Sequence, residues 1–489
     1  AAIYHVSPLG NDGNPGTPAA PWATLSKANT VLIAGDTAII HAGTYSGQRI
    51  EPINSGSPGN YITYKGAINE AMPVVTASPS LLIPGERPPV RRVAIVLNGV
   101  HHIWIEGLKI SGGAARPPEG AGSNLDGWAV LYGAAYSVIK NNYFEYAYGW
   151  TGFRLNGSST FNRIIGNTMR LAGTYDNGLR PVSAKDVMGA ELLQICIGSD
   201  CNQVEANDLR LGGHNVLSIQ GSRNLIRGNY LDNDWGQLPG TANDGIGYRV
   251  GELTATGKAG VDLTAVGYNL FEDNIVTGTR QVRFSDPKAH GGMSRTVNPT
   301  NLKIEGTGQI VRGNYFIHNI ADVLSTVIRG NGVPYSLGNR IYNNTIYGNG
   351  GGAWVIHNFE NVAERLDGNI FMNNIVYGNR QNLAFASGKR DRDISMDAGS
   401  SNGSGKMITA HNRIFNNSIV RARPGDAMVY VAGPGHHSLD WYEAPANGYA
   451  DNFFGNLQLE PRFVVVSGPR DTVSYTHLRA HETKANLVC

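Results

Sequence analysis

The chain has 489 residues, 63 of them Gly, with 16% charged residues and a formal net charge of +2. So small a charge argues against nucleic acid or an anionic membrane as partner, both of which call for dense basic patches. No apolar run approaches the roughly 18–20 residues that cross a bilayer, so no membrane span is expected.

The chain opens at Ala1-Ala2-Ile3-Tyr4, without Met or signal sequence, as expected of a mature secreted protein, extracellular or periplasmic, cut after small residues. Tyr4 to Thr17 reads as a strand followed by a Gly/Asn/Pro turn region. From Pro21 to Leu32 apolar residues fall at steps of three, which predicts a helix with one buried face and Pro21 in its first turn. Gly35 to Tyr45 reads as a strand ending in a turn.

Beyond it, one motif recurs: Asn, any residue, then an apolar one. It appears as Asn142-Tyr143-Phe144, Asn167-Thr168-Met169, Asn207-Asp208-Leu209, Asn229-Tyr230-Leu231 and Asn274-Ile275-Val276. It continues as Asn314-Tyr315-Phe316, Asn344-Thr345-Ile346, Asn374-Ile375-Val376 and Asn417-Ser418-Ile419. The shortest intervals are 22 and 25 residues, and the others run from 30 to 45. A minimum period with variable excess is the mark of a solenoid interrupted by insertions. Each unit holds short β-branched and aromatic runs bounded by Gly, Asn, Asp or Ser, and none has the length of a helical repeat. Asn tolerates the left-handed conformation of a tight turn, and its amide, stacked at the same turn of every coil, bonds to the amides above and below. The expected fold is all-β, a parallel β-helix of one coil per repeat. Such a solenoid exposes apolar side chains and strand edges at its ends unless capped.

In order and detail, Tyr4 to about Tyr64 resembles the opening of secreted right-handed parallel β-helix proteins of the pectate-lyase-like superfamily. The resemblance implies a right-handed solenoid plugged by a short N-terminal capping helix, with a linear polymer held along its side. It implies no single activity, since that superfamily hosts lyases, hydrolases, epimerases and structural spikes. The expected organisation is an N-terminal strand, capping helix and first coils over 1–90, then a β-helix with groove-forming insertions over 91–466. The third part, 473–489, resembles a translated sequencing adaptor: Val473 to Thr483 and Leu487-Val-Cys489 match it, with Lys484-Ala-Asn486 at its variable index. A chain read from an environmental contig that ended there is expected, and His477, His481 and Cys489 are left out of any site.

The largest insertions are 174–191, 232–266, 281–301 and 380–405. If they leave the coils at similar turns, they wall a groove. Charged and aromatic residues concentrate from His214 to Lys303, in connections the scaffold does not need. β-Elimination of a uronic-acid polymer needs the sugar carboxylate neutralised and a base for the adjacent proton. Lys288, His290, Arg283 and His214 are the candidate bases and cations, with Asp244 beside them. Trp235, Tyr248, Arg249 and Arg295 are candidate substrate-binding residues. Asp232 and Asp234, with Asp244, are candidate ligands for Ca²⁺, which takes six to eight oxygens. Glycoside hydrolysis instead needs two carboxylates, for which Asp234, Asp244, Asp286 and Glu252 are candidates. The Asp-Pro-His-Asp element of alginate epimerases is absent, as is the Asp-Asp pair with Gly-His-Gly of polygalacturonases. A secreted polysaccharide lyase is the leading expectation, monomeric, with a polysaccharide as its partner. A glycoside hydrolase and a non-catalytic glycan-binding spike are the alternatives. Cys196 and Cys201 are either bridged or two small apolar residues of a coil.

Overall fold

Runs of three to five residues that alternate apolar with polar cannot bury a face alone, and here they stack in parallel, one coil on the next. The computed structural model describes residues 1–76, 93–112, 127–147, 151–172, 191–212, 215–234, 249–253, 267–278, 282–283, 296–297, 301–319, 322–328, 336–358, 366–379, 392–397, 411–421 and 429–458. The chain divides into two units, 1–256 with 277–299, and 257–276 with 300–489.

In the first unit each coil after the first ones contributes a strand to each of three parallel stacks. The first stack runs from Ile3–Val6 through Thr37–Ile40, Ile62–Gly66, Ile103–Glu106, Val138–Lys140, Arg163–Ile165 and Gln203–Glu205 to Leu225–Arg227. The second runs from Thr44–Tyr45 through Val74–Thr76, Lys109–Ser111, Tyr143–Ala147, Thr168–Ala172 and Asp208–Gly212 to Tyr230–Asp232. The third comprises Ile95–Asn98, Ala129–Tyr132, Thr151–Asn156, Glu191–Ile195, Asn215–Ile219 and Arg249–Leu253. Register aligns like with like. Ile105, Ile139, Ile164, Val204 and Ile226 form one buried file, and Ile110, Phe144, Met169, Leu209 and Leu231 form another. Each such side chain contributes about 1.5–3 kcal/mol by leaving water.

The second unit repeats the plan. Phe271, Val311, Ile341, Phe371, Ile414 and Phe453 stack in one file, and Phe316, Ile346, Val376 and Ile419 in a second. Leu302, Leu324, Trp354, Ile394 and Val429 form a third. Val429–Val431 then turns back on Gly435–His437, an antiparallel strand that ends the stack.

The Asn motif is a hydrogen-bonded ladder. Asn142 Nδ2 donates to Asn167 Oδ1 (3.2 Å), Asn167 to Asn207 (3.1 Å), and Asn207 to Asn229 (2.9 Å). Each Oδ1 also accepts the backbone N–H of the Asn one coil earlier. The second unit has its own run, Asn274–Asn314–Asn344–Asn374–Asn417–Asn456. Of the two reasons expected for Asn, amide stacking holds and the left-handed backbone does not. The left-handed residue is the one before it, at Asn141, Gly166, Ala206 and Gly228 (φ 53–65°), so the ladder position selects the amide rather than the backbone conformation.

A second ladder lies five residues upstream in most coils: Asn162–Asn202–Asn224 in the first unit, Asn269–Gln309, the backbone N–H of Gln309 on Asn339, and Asn339–Asn369–Asn412 in the second. The offset is fixed because a three-residue strand and one turn residue, such as Arg163–Ile165 and Gly166, separate the two corners. A third ladder, Asn319–Asn349–Asn379, follows five residues downstream.

The expected capping helix is present at Leu25–Val31, with Leu25 and Ala28 buried. It starts later than Pro21. Trp22 pairs with Val6 as a bridge, and Thr24 is the N-cap, accepting Lys27 N–H at 3.1 Å. Asp12 sets that start by accepting the N–H groups of Ala23 and Thr24 at 2.9 and 3.0 Å. At the far end of the second unit, helix Leu439–Glu443 supplies Glu443, whose Oε1 accepts both donors of Asn456 and closes the ladder (2.8 and 2.9 Å). Among the described residues no helix is long and apolar enough to cross a membrane.

Candidate functional site

The insertions of the first unit share a departure point. Segments 113–126, 148–150, 173–190, 213–214 and 235–248 each join a second-stack strand to the next third-stack strand. Segment 254–266 instead follows a third-stack strand. The candidate face is therefore the outer side of the second stack, up to that corner.

On this face the positions one and three after each ladder Asn point outward. Register puts Lys109, Tyr143, Thr168, Asp208 and Tyr230 in one row and Ser111, Glu145, Arg170, Arg210 and Asp232 in the next. Strands lie about 4.8 Å apart, so five span about 19 Å. Lys109 Nζ bonds Glu145 Oε1 at 2.7 Å and lies 5.4 Å from the Tyr143 ring centroid. Arg210 holds Asp208 with both Nε and Nη2, the latter at 2.9 Å, and stacks 4.5 Å over the Tyr230 ring. Arg170 Nη2 reaches the same Asp208 at 3.7 Å.

These contacts fix protonation. The hydrogen bond to Glu145 pushes the Lys109 pKa up, so its ammonium persists. Burial would lower the Arg210 pKa, but the hydrogen bond and charge of Asp208 outweigh it and raise it. Burial, then the charge of Asp232, pushes the Tyr230 phenol up, and burial with Glu145 does the same to Tyr143. Both phenols are therefore protonated at neutral pH and present hydrogen-bond donors and ring surfaces.

At the end of the row Asp232 is buried, 2% exposed. Its Oδ1 accepts Asp234 N–H at 2.8 Å, and its Oδ2 is 3.5 Å from the Tyr230 hydroxyl. Residue 278 packs against Oδ1 so closely that only Gly fits there, at φ +80°. From that Gly the chain runs to the antiparallel pair Val282–Arg283 and Thr296–Val297, which brackets 284–295.

The outer row of the third stack changes character along the unit. Val96 and Val130 give way in register to Arg154, Gln194 and Ser218, all buried, and then to Glu252. Arg154 Nε donates to Cys196 Sγ at 3.3 Å. Cys196 is a buried thiol that forms no bridge with Cys201.

Of the residues singled out in the sequence, Asp232 and Asp234 meet as described. Arg249 opens its third-stack strand on the rung of Asn215 and Glu191, and Arg283 pairs with Thr296. His214, Trp235, Asp244, Tyr248, Asp286, Lys288, His290 and Arg295 lie outside the described residues, as does 473–489. Among the described residues no group of three His, Cys, Asp or Glu is placed to hold a metal. Lys109, Tyr143, Arg170, Asp208, Arg210 and Tyr230 were overlooked among the repeats. Their signal was positional: they fill the outward columns of the aligned motif.

No protein-family model matches the chain, and no curated protein matches it in sequence. Solved structures resemble it weakly. A pectate lyase aligns at 15% identity over 72% of this chain and 80% of its own, with a TM-score of 0.42. A lacto-N-biosidase from Eubacterium ramulus aligns at 14% over 89% and 67%, TM-score 0.43. A glycoside hydrolase aligns at 10% over 78% and 97%, TM-score 0.48. Likenesses of this degree carry nothing about chemistry.

Proposed function

We propose that the protein is a secreted polysaccharide lyase that cleaves a uronic-acid polymer by β-elimination. The observation that carries this reading is the register-locked row of Lys109, Arg170 and Arg210 interleaved with Tyr143 and Tyr230, ending at Asp232 where Gly278 leads into the 283–295 segment. Guanidinium groups and an ammonium match carboxylates repeated along a chain, and tyrosine faces pack against sugar rings.

In this reading the polymer lies across the second-stack strands. Arg283 and Arg295 neutralise the carboxylate of the reacting sugar. Lys288 or His290 takes the proton next to that carboxylate, and the released electron pair forms the ring double bond as the bond to the leaving oxygen breaks. That oxygen leaves with a proton. His214, Asp244, Trp235, Tyr248 and Arg249 complete the subsites.

Incubation with alginate, pectate, glycosaminoglycans and ulvan, following the ultraviolet absorbance of the unsaturated product, tests the proposal. Absorbance should rise with one acidic polymer. Flat traces with new reducing ends would mean hydrolysis instead, and binding without either would mean a glycan-binding surface protein.

A further inference from the structure

The second unit carries a polar cleft of about 770 Å³ lined by His411, Arg413, Ala450, Asp451 and Phe454, none of which belongs to the row described above. Its imidazole is held in place. Asp367 accepts the His411 backbone N–H at 3.0 Å and faces its Nδ1 at 3.0 and 3.1 Å through its two oxygens. An ionised carboxylate only accepts, so Nδ1 carries the hydrogen and Nε2 is left for a ligand. Burial opposes ionisation of Asp367, but the hydrogen bonds from His411 outweigh it and hold its pKa down. The His411 side chain is 80% exposed even so, so the pair orients a ring at the surface rather than filling a core.

Phe454 adds a flat apolar wall. One face stacks on Phe415 with centroids 4.7 Å apart and planes 9° apart, and the ring remains 38% exposed. Arg413 is the exposed residue of the neighbouring strand Arg413–Phe415, two positions before Phe415. A guanidinium, an oriented imidazole, a carboxylate and an open aromatic face form the complement of a sugar that bears a carboxylate. The guanidinium pairs with the carboxylate, Asp451 accepts from hydroxyls, and Phe454 covers the C–H face of the ring.

We propose that this cleft is a separate binding site for one acidic sugar unit, such as a uronate at the end of an oligosaccharide. The proposal rests on the acidic-polymer reading only for the choice of ligand. The test follows the His411 ring resonances of the full chain by NMR, assigned with His411→Gln, during titration with trigalacturonate and with its methyl ester. The acid should shift them saturably and the ester should not, and Arg413→Gln should weaken the acid at least tenfold while leaving the melting curve unchanged. No shift with the acid, equal shifts with both ligands, or an Arg413→Gln protein that binds as before would overturn it. The readout is a ring resonance rather than turnover, so absence of lyase activity does not decide it.

Discussion

Asp232 Oδ1 occupies the space that a Cβ at Gly278 would need, and residue 278 also sits at φ +80°. The second-stack face is thus locked to the segment after it by a residue that admits no side chain. A left-handed non-Gly residue costs about 1–3 kcal/mol, and the displaced carboxylate adds to it. Gly278→Ala should lower the urea midpoint of unfolding and reduce turnover together. Asp232→Ala in the same chain should recover part of the stability loss, because the clash term disappears. Additive losses in that double-mutant cycle would refute the contact.

Arg210 is expected to act on binding. Arg210→Gln frees Asp208 and removes a cation stacked on Tyr230. The expected result is a KM for the acidic polymer raised about five- to tenfold with kcat little changed, one charge-assisted contact being roughly 1–1.4 kcal/mol here. The difference from the parent should shrink as salt rises. A fall in kcat alone would move Arg210 from the substrate path to the reacting sugar.

Asn207 makes four ladder contacts: its Nδ2 donates to Asn229 Oδ1 and Ile164 O, both at 2.9 Å, and its Oδ1 accepts two donors of Asn167. Asn207→Ala leaves buried groups without partners, at about 1–3 kcal/mol each. A loss of roughly 3 kcal/mol or more should appear in chemical denaturation. Asn207→Asp, nearly the same shape, should be no better, since a carboxylate cannot donate to Ile164.

Glu443 stands at the end of the same device in the second unit. Glu443→Ala should expose Asn456 and Asn417 amides to faster hydrogen exchange while the middle of the ladder stays protected. Glu443→Gln keeps an accepting oxygen and should behave close to the parent. Equal exchange in all three proteins would mean the helix, and not its carboxylate, closes the stack.

The N-terminal edge should respond to acid. His5 Nδ1 faces His41 Nε2 at 2.9 Å, and His41 Nδ1 pairs with Glu70 Oε1 at 2.8 Å. Burial, then the charge of His41, lowers the His5 pKa below its ordinary 6.5. The folded protein then binds fewer protons than the unfolded chain, so this contribution is present above pH 6.5 and is lost as pH falls through the folded value. The hydrogen bonds from Ala42 N–H and His41 hold the Glu70 pKa down as well, and its share is lost in acid in the same sense. An NMR titration should place His5 below 6.5, and Glu70→Gln should lower it further, because Glu70 favours the imidazolium.

The repeat was legible because a coil needs an amide at one corner and an apolar residue two positions on, and both are local demands. The second ladder was legible in principle: Asn162, Asn202 and Asn224 precede Asn167, Asn207 and Asn229 by a constant five. An Asn at the start of a short strand also reads as an ordinary turn residue, which masks the regularity. Helix onset depended on Asp12, a residue distant in sequence that gathers the N–H groups of Ala23 and Thr24. No local pattern reports such a partner, so Pro21 drew the boundary too early. The face bearing Arg210 and Tyr230 was hidden for a different reason. Charged residues looked like the solvated side of each strand, and only inter-coil register shows that they line up.

The fixed spacing between the two corner amides has an evolutionary consequence. That arm behaves as a ruler and tolerates no insertion, while the other two corners accept segments of any length. Novelty can therefore enter the chain by splicing at those corners, or by duplicating a whole turn as short as the 22 residues from Asn202 to Asn224, without retuning the rest. Substrate range in such a scaffold can change by exchange of parts on an unaltered spine.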